Sequence, residues 1–211
     1  MTAPASEIRT DAERAPSFNE SLMTDFTIHT IDTAPADAKP LLQNSLNAFG
    51  MIPNLHGVMA ESPQHLEAYQ TLSNLFSKTS LTAIEQNVVW LAINVEHNCH
   101  YCVPAHTGIA HSQKVPGEII DALRDGRTLP DAKLEALRQF TLTTVRNRGV
   151  VSDADTEAFL AAGYTRQNIL DVVLGVAHKV MSNYVNHFAD TPVDEAFQSF
   201  AWEAKQAAPA E

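Results

Sequence analysis

The sequence predicts an all-α protein, a compact multi-helix bundle. Three observations carry this. From Pro35 onward apolar residues recur at three- and four-residue intervals, the period of an amphipathic helix. No stretch alternates apolar and polar residues over strand length, and Val150-Val151 is too short. Helix starts and stops punctuate the apolar runs: Thr82-Ala83-Ile84-Glu85 has the form of a capping box, and Gly50, Gly149 and Gly163 each close a run.

The elements follow in order. Leu41, Leu42, Leu46 and Phe49 form a stripe ended by Gly50. Asn54 to Ala60 reads as a short helix closed by Glu61-Ser62-Pro63. Leu66, Tyr69, Leu72, Leu75 and Phe76 keep helical spacing to Ser77. A helix from Thr82 to His97 carries Ile84, Val88, Leu91, Ala92 and Val95 as its buried stripe. The next opens in the cysteine segment and runs to His111, with an irregular first turn at Pro104, because a proline inside a helix clashes with the carbonyl four residues back. Pro116-Gly117-Glu118 starts a short helix ending near Gly126. Leu134, Leu137, Phe140, Thr141 and Val145 mark a long one stopped by Gly149. Ser152 to Ala162 is capped and closed by Gly163. Thr165 begins the last long helix, with Ile169, Val172, Val173, Val176 and Val180 as its stripe and Tyr184 and Phe188 extending it. Phe197, Phe200 and Trp202 dock a final turn, and Gln206 to Glu211 frays. An offset of about 83 residues pairs Thr82 with Thr165, Leu91 with Leu174 and Tyr101 with Tyr184, the pattern of an internal two-fold repeat.

Residues 1–22, with Ala3-Pro4-Ala5-Ser6 and Ala15-Pro16-Ser17, carry no apolar period and are expected to be disordered or loosely attached. Met23 opens the single folded unit, residues 23–211. A chain of 211 residues is long enough to bury a core, and its 45% hydrophobic content is ordinary for a globular protein. The formal net charge of -11 argues against nucleic acid and anionic membrane surfaces as partners. No apolar run reaches membrane-span length and no basic-then-apolar leader is present, so the expected compartment is the cytoplasm.

The only two cysteines are Cys99 and Cys102, in the run His97-Asn98-Cys99-His100-Tyr101-Cys102-Val103-Pro104-Ala105-His106. In a reducing compartment such a pair is redox-active or metal-bound rather than structural. His106 follows Cys102 by one helical turn and can take its proton or pair with its thiolate. Asn98, read as an N-cap, puts the thiols at the positive end of a helix. His97 and His100 add positive charge when protonated. These features make Cys102 the nucleophile and Cys99 the resolving thiol. A thiolate that attacks a peroxide becomes a sulfenic acid, and a second thiol three residues away condenses with it to a disulfide. The competing reading is a zinc half-site of Cys99 and Cys102 completed by His106 and His97 or His100. A structural zinc site prefers four ligands, and no second CxxC exists. Simple burial of inert thiols is the third reading.

The segment Asn98 to His106 resembles the alkylhydroperoxidase D-like family of the carboxymuconolactone decarboxylase superfamily. The helix opening Leu81-Thr82-Ala83-Ile84-Glu85 supports this. So do Gly50-Met51-Ile52-Pro53-Asn54-Leu55 and Ala161-Ala162-Gly163-Tyr164, which look like the peroxidase-related branch. The resemblance spans residues 35–200. It implies an all-helical subunit assembling into trimers or hexamers. It also implies a two-cysteine peroxidase for hydrogen peroxide or organic hydroperoxides that needs no flavin, haem or metal and is recharged by a dithiol or lipoyl-type reductant protein. Under it Cys102 attacks, Cys99 resolves and His106 assists.

Two positions depart from the family pattern. The relay glutamate expected twelve residues before the first cysteine is Asn87, which is no base. The residue before the second cysteine, often histidine, is Tyr101. Glu85 is the preferred substitute acid and Glu96 the next. Two rivals are a decarboxylase of the same superfamily, which generally lacks the CxxC, and a non-catalytic metal- or redox-sensing protein. The remaining residues have plain readings: the capping box explains Glu85, packing explains Tyr101 and Trp90, solvation explains His100 and His111, and ordinary hydrogen bonding explains Asn183 and His187.

Overall fold

The computed structural model describes residues 26–203. The expectations for residues 1–22, for Met23 and for the tail from Gln206 lie outside them. Among the described residues every regular element is helical: α1 Lys39–Phe49, α2 Asn54–Met59, α3 Pro63–Phe76, α4 Ala83–Glu96, α5 Cys102–Ser112, α6 Gly117–Arg124, α7 Ala132–Arg146, α8 Asp153–Ala161 and α9 Arg166–Ala189. Short 3-10 turns lie at Ala36–Ala38 and Glu195–Phe200. No helix among these residues is long and apolar enough to cross a membrane.

α4 is the axis of the bundle, buried on all sides from Glu85 to Asn94, with α5, α6, α7 and α9 packed around it. Its stripe is therefore a whole circumference, as expected of a helix at the centre of a core. Thr82 caps α4 and its partner Glu85 closes the capping box; Thr165 and Asn168 repeat the same geometry at α9. The 83-residue pairing survives at these caps, but Tyr101 is buried whereas Tyr184 is 51% exposed. α9 lies close against α3 and α4 because residue 175 is glycine: a Cβ there would stand 2.7 Å from both Phe76 and Val89. A second apolar cluster, including Leu42, Leu55, Leu66 and Tyr69, surrounds the two cysteines. The final turn docks as expected, with Phe197 against Gly108 and Trp202 Nε1 donating to the Arg124 carbonyl at 3.0 Å.

Two local expectations are corrected. Asn98 is not the N-cap of α5. It sits at φ 51° as the residue that ends α4. Cys99 N–H reaches Asn94 O at 3.0 Å and Asn98 N–H reaches Val95 O at 3.0 Å, the two bonds of a Schellman motif. Asparagine tolerates this left-handed conformation better than most residues. α5 then starts at Cys102, so Pro104 falls in its first turn, where a missing N–H leaves no intrahelical bond unmade.

The second correction concerns α9. Of the stripe Ile169, Val172, Val173, Val176 and Val180, only Val172 is fully buried. The buried face instead carries Asn168, Asp171, Gly175, His178, Lys179, Ser182, Asn183 and Asn186. Leu170, Val173, Tyr184 and Phe188 look outward. Both faces repeat with helical period, and periodicity alone does not say which one is turned inward.

Candidate active site

Cys99 and Cys102 are both free thiols and both buried. Cys99 lies in the turn before α5, and its sulfur accepts the Cys102 backbone N–H at 3.2 Å. Asn186 of α9 donates its amide to Cys102 Sγ at 3.1 Å and lies 3.7 Å from Cys99 Sγ. Burial alone pushes the Cys102 thiol up. That is outweighed by the Cys99 thiol donating to it, by the Lys179 charge, and by Ser182 and Asn183, which bring it down to about 6. Cys99 moves the other way, well above the usual thiol range, because its proton is held by the Cys102 sulfur and it is buried beside that charge. Both shifts favour ionisation at Cys102 over Cys99.

The cation whose charge favours ionisation of Cys102 is Lys179, a residue that the sequence alone does not single out. It is 0% exposed and its Nζ lies 2.7 Å from His106 Nε2. Among the described residues no carboxylate forms an ion pair with it. Burial lowers its pKa, opposed by the charges at Cys102 and Cys99. With Lys179 as an ammonium, which only donates, Nε2 of His106 is the acceptor. Burial, then Lys179 and His178, hold His106 well below the usual histidine range, so its ring is neutral. Among the described residues, Nδ1 of His106 has no hydrogen-bond partner, and neither ring nitrogen of His178 nor Nε1 of Trp90 has one.

These groups face one cavity of about 720 Å³, walled by Tyr69, Trp90, Cys102, His106, His178 and Lys179 among others. The rings stack into a box: Tyr69 to His178 at 4.6 Å, Trp90 to His106 at 5.1 Å, Trp90 to His178 at 6.1 Å. His56, hydrogen-bonded to Ser45 at 2.8 Å, completes the wall and is lowered by burial to about 4. Among the described residues, no aspartate or glutamate lines this cavity.

The structure thus sets Cys99 against Cys102 and puts Cys102 and His106 in the wall of one cavity, but not Glu85. The Glu85 carboxylate accepts Thr82 N–H and Oγ1–H, each at 2.8 Å, and pairs with Lys133 at 3.2 Å. It sits at the far end of α4, about 14 Å along the helix axis from Asn94. Its local role as a helix cap holds it there. Glu96 is no closer to the task, forming a two-pronged pair with Arg146 at 2.8 and 2.7 Å. Asn87 donates to Gln113 at 2.7 Å. Tyr101 donates to Asp194 at 2.5 Å and accepts Leu55 N–H, pinning the C-terminal segment over the site. His97 bonds Asn183 at 2.9 Å, and His100 bonds Thr191 O at 3.2 Å. Neither turns to the thiols, and among the described residues no three His, Cys, Asp or Glu side chains converge on one point. His111 stacks on Phe200, and Trp90 is a cavity wall. Lys179, His178 and Asn186 were legible in one respect: with Asn168, Asp171, Ser182 and Asn183 they form a polar stripe of helical period on α9.

No known family profile and no curated protein matches the chain. Solved structures do. An alkylhydroperoxidase AhpD core, an uncharacterized peroxidase-related protein from Ralstonia eutropha, superposes with a TM-score of 0.72 at 21% identity, over 83% of this chain and 94% of that one. An uncharacterized peroxidase-related protein from a Silicibacter species gives 0.71 at 18% identity, over 85% and 97%. The debrominase Bmp8, in complex with 2,3,4-tribromopyrrole, gives 0.65 at 14% identity, over 83% and 95%. At these identities the likeness is one of fold: the all-helical fold of the peroxidase-related AhpD core.

Proposed function

We propose that the protein is a thiol peroxidase working through a Cys99–Cys102 dithiol–disulfide cycle. The observation that carries this is a pair of free thiols held together, Cys99 Sγ accepting the Cys102 N–H at 3.2 Å and Asn186 donating to Cys102 Sγ at 3.1 Å, with Cys102 and Lys179 lining one cavity. The Cys102 thiolate attacks the distal oxygen of a hydroperoxide, giving Cys102 sulfenic acid and an alkoxide. The Cys99 thiol then attacks that sulfur, the disulfide forms and water leaves with the Cys99 proton. An external dithiol protein of a reducing compartment such as the cytoplasm returns two electrons and two protons. The fold likeness to peroxidase-related proteins supports the reading.

A second reading is favoured by the cavity itself. Its volume and ring-lined walls suit a planar organic molecule better than hydrogen peroxide alone. By analogy with the debrominase, the same thiolate takes a halogen from a haloarene as a sulfenyl halide, the ring carbon gains a proton, and Cys99 expels halide to form the same disulfide.

One measurement tests both. Reduced protein should show two titratable thiols, none after one equivalent of cumene hydroperoxide, and two again after dithiothreitol, with the Cys99–Cys102 link mapped by peptide mass. Thiol loss and bromide release with tribromopyrrole, but not with hydroperoxide, would move the assignment to the second reading. Thiols untouched by both reagents would end both.

The outward face of α9 bears on assembly. Leu170, Val173, Ala177, Val180, Tyr184 and Phe188 follow one another at three- and four-residue steps, the seam of a helix that packs on another helix. We infer a homo-oligomer with a second copy covering this face. Light scattering should give a multiple of 23.1 kDa, and Val173→Glu with Tyr184→Glu should reduce it to the monomer. An unchanged mass in that double variant would place any interface elsewhere.

A further inference from the structure

On the dithiol–disulfide reading, we propose that the C-terminal segment Thr191–Ala201 is a displaceable cover over the cysteine turn, and that it gives way when a protein dithiol docks to reduce the Cys99–Cys102 bond. Reduction is a contact reaction. The donor's thiolate forms a bond to one sulfur of the pair while the Cys99–Cys102 bond breaks. Its second thiol then attacks the mixed disulfide, so two electrons and two protons pass to this chain and the donor leaves as a disulfide. A small hydroperoxide reaches Cys102 through the cavity, whose wall includes that residue. A folded donor cannot follow it, because Cys99 is 0% and Cys102 1% exposed. A thiol carried on a globular surface meets these sulfurs only after part of the chain above them moves.

The segment lies across that turn. It leaves α9 at Asp190, a residue in the left-handed conformation at φ 44°. Val193 and Phe197 pack on the apolar cluster that contains both cysteines. Phe197 also walls the cavity and rests on α5 at Gly108, where a Cβ would stand 2.9 Å from its ring. The hold is polar and lies at the two ends. Asp194 is the buckle: its Oδ1 accepts the Asn54 N–H at 2.9 Å and its Oδ2 accepts the Tyr101 hydroxyl proton at 2.5 Å. Tyr101 directly precedes Cys102, so the buckle closes on the cysteine turn itself. Arg124 ties the far end, donating to the carbonyls of Phe200 and Ala201 at 3.1 and 3.0 Å. Between these ties no residue of Glu195–Phe200 is buried. A segment with few buried apolar groups opens locally at far lower cost than the core helices beneath it. The bonds that Lys179 and Asn186 make at the site do not run through it.

Asp194→Asn takes the charge out of the buckle and Arg124→Gln unties the far end, two independent variants outside the wall of the Cys102 cavity. The disulfide is formed with diamide, so the measurement does not depend on hydroperoxide turnover. In either variant, hydrogen exchange at the Phe197 and Ala201 amides, which bond within the segment, should quicken roughly tenfold, the worth of one charge-assisted hydrogen bond. Reduction by thioredoxin should quicken by the same factor, while reduction by dithiothreitol, which enters by the cavity, should be unchanged. Faster exchange with an unchanged thioredoxin rate overturns the cover, and so does exchange unchanged in both variants. An equal gain for dithiothreitol means a general loosening of the site and overturns it too. A disulfide formed by diamide but not by cumene hydroperoxide ends the peroxidase reading and leaves the cover standing; no disulfide with either reagent ends both.

Discussion

Cys102→Ser is expected to abolish hydroperoxide consumption, while Cys99→Ser should spare the first turnover and block the second. The asymmetry follows from the geometry. The Lys179 charge, the Asn186 amide and the Cys99 thiol are all aimed at the Cys102 sulfur. A serine hydroxyl there stays protonated and is no nucleophile toward a peroxide at neutral pH. The loss should exceed about 10³-fold in the rate of peroxide disappearance, since only uncatalysed background remains. In Cys99→Ser the attacking sulfur keeps Asn186 and Lys179, and the sulfenic acid it forms has no neighbour to condense with. A dimedone adduct confined to Cys102, followed by sulfinic acid at higher peroxide, is the expected mass-spectrometric signature. Equal steady-state turnover by wild type and Cys102→Ser would rule out the assignment, and a dimedone adduct on Cys99 would reverse the roles of the two thiols.

Between pH 7 and pH 5 both reactivity and stability should fall, for separable reasons. Cys102 titrates at about 6, so its thiolate fraction, and with it the rate of iodoacetamide alkylation, should drop about tenfold over that interval. The thiol is lowered on folding. Its contribution to stability is complete above its unfolded value of 9.0 and is lost as the pH falls through about 6. Below the ordinary histidine value of 6.5 a second effect takes over. His56, His106 and His178 are buried and neutral, the first lowered to about 4 and the others well down. The unfolded chain then binds a proton at each of these positions and the native chain does not, so stability declines with falling pH. Each contributes about 1.4 kcal/mol per pH unit, and about three protons should be taken up at these sites on unfolding near pH 5, with a smaller uptake at His65 and His187, which burial also lowers. Urea midpoints measured from pH 6.5 to 5 give that number directly, and His178→Phe should lower it by about one. A flat profile over this range would contradict buried neutral histidines, and an alkylation midpoint near 9 would contradict the thiolate.

Asn98 and Glu85 differ from expectation for the same kind of reason that the helix boundaries agree with it. Asn98 before Cys99 has the composition of an N-cap, and the helix does restart nearby. The residue serves the helix that ends instead, because the Schellman bonds to Asn94 and Val95 use it first. Glu85 was preferred as a relay acid for its place on α4. Its carboxylate belongs to the Thr82 cap, a local interaction that the sequence also spelled out. Lys179 was invisible because a lysine beside valines on a helix reads as surface. It is buried here only because α9 presses its polar face on the cysteines, as the glycine at 175 permits.

What the chain's order alone determined was local: where helices start and stop, that no strand forms among the described residues, and that two thiols lie three residues apart with an imidazole four residues after the second. Capping, glycine closure and helical period act over a few residues, so they are readable there. The tertiary structure decided which sulfur its surroundings favour as a thiolate, and through which groups. Lys179 and His106 are 73 positions apart, and Asn186 and Cys102 are 84 apart. Charge and desolvation depend on distance in space, and only packing α9 against α5 brings those groups within reach of each other.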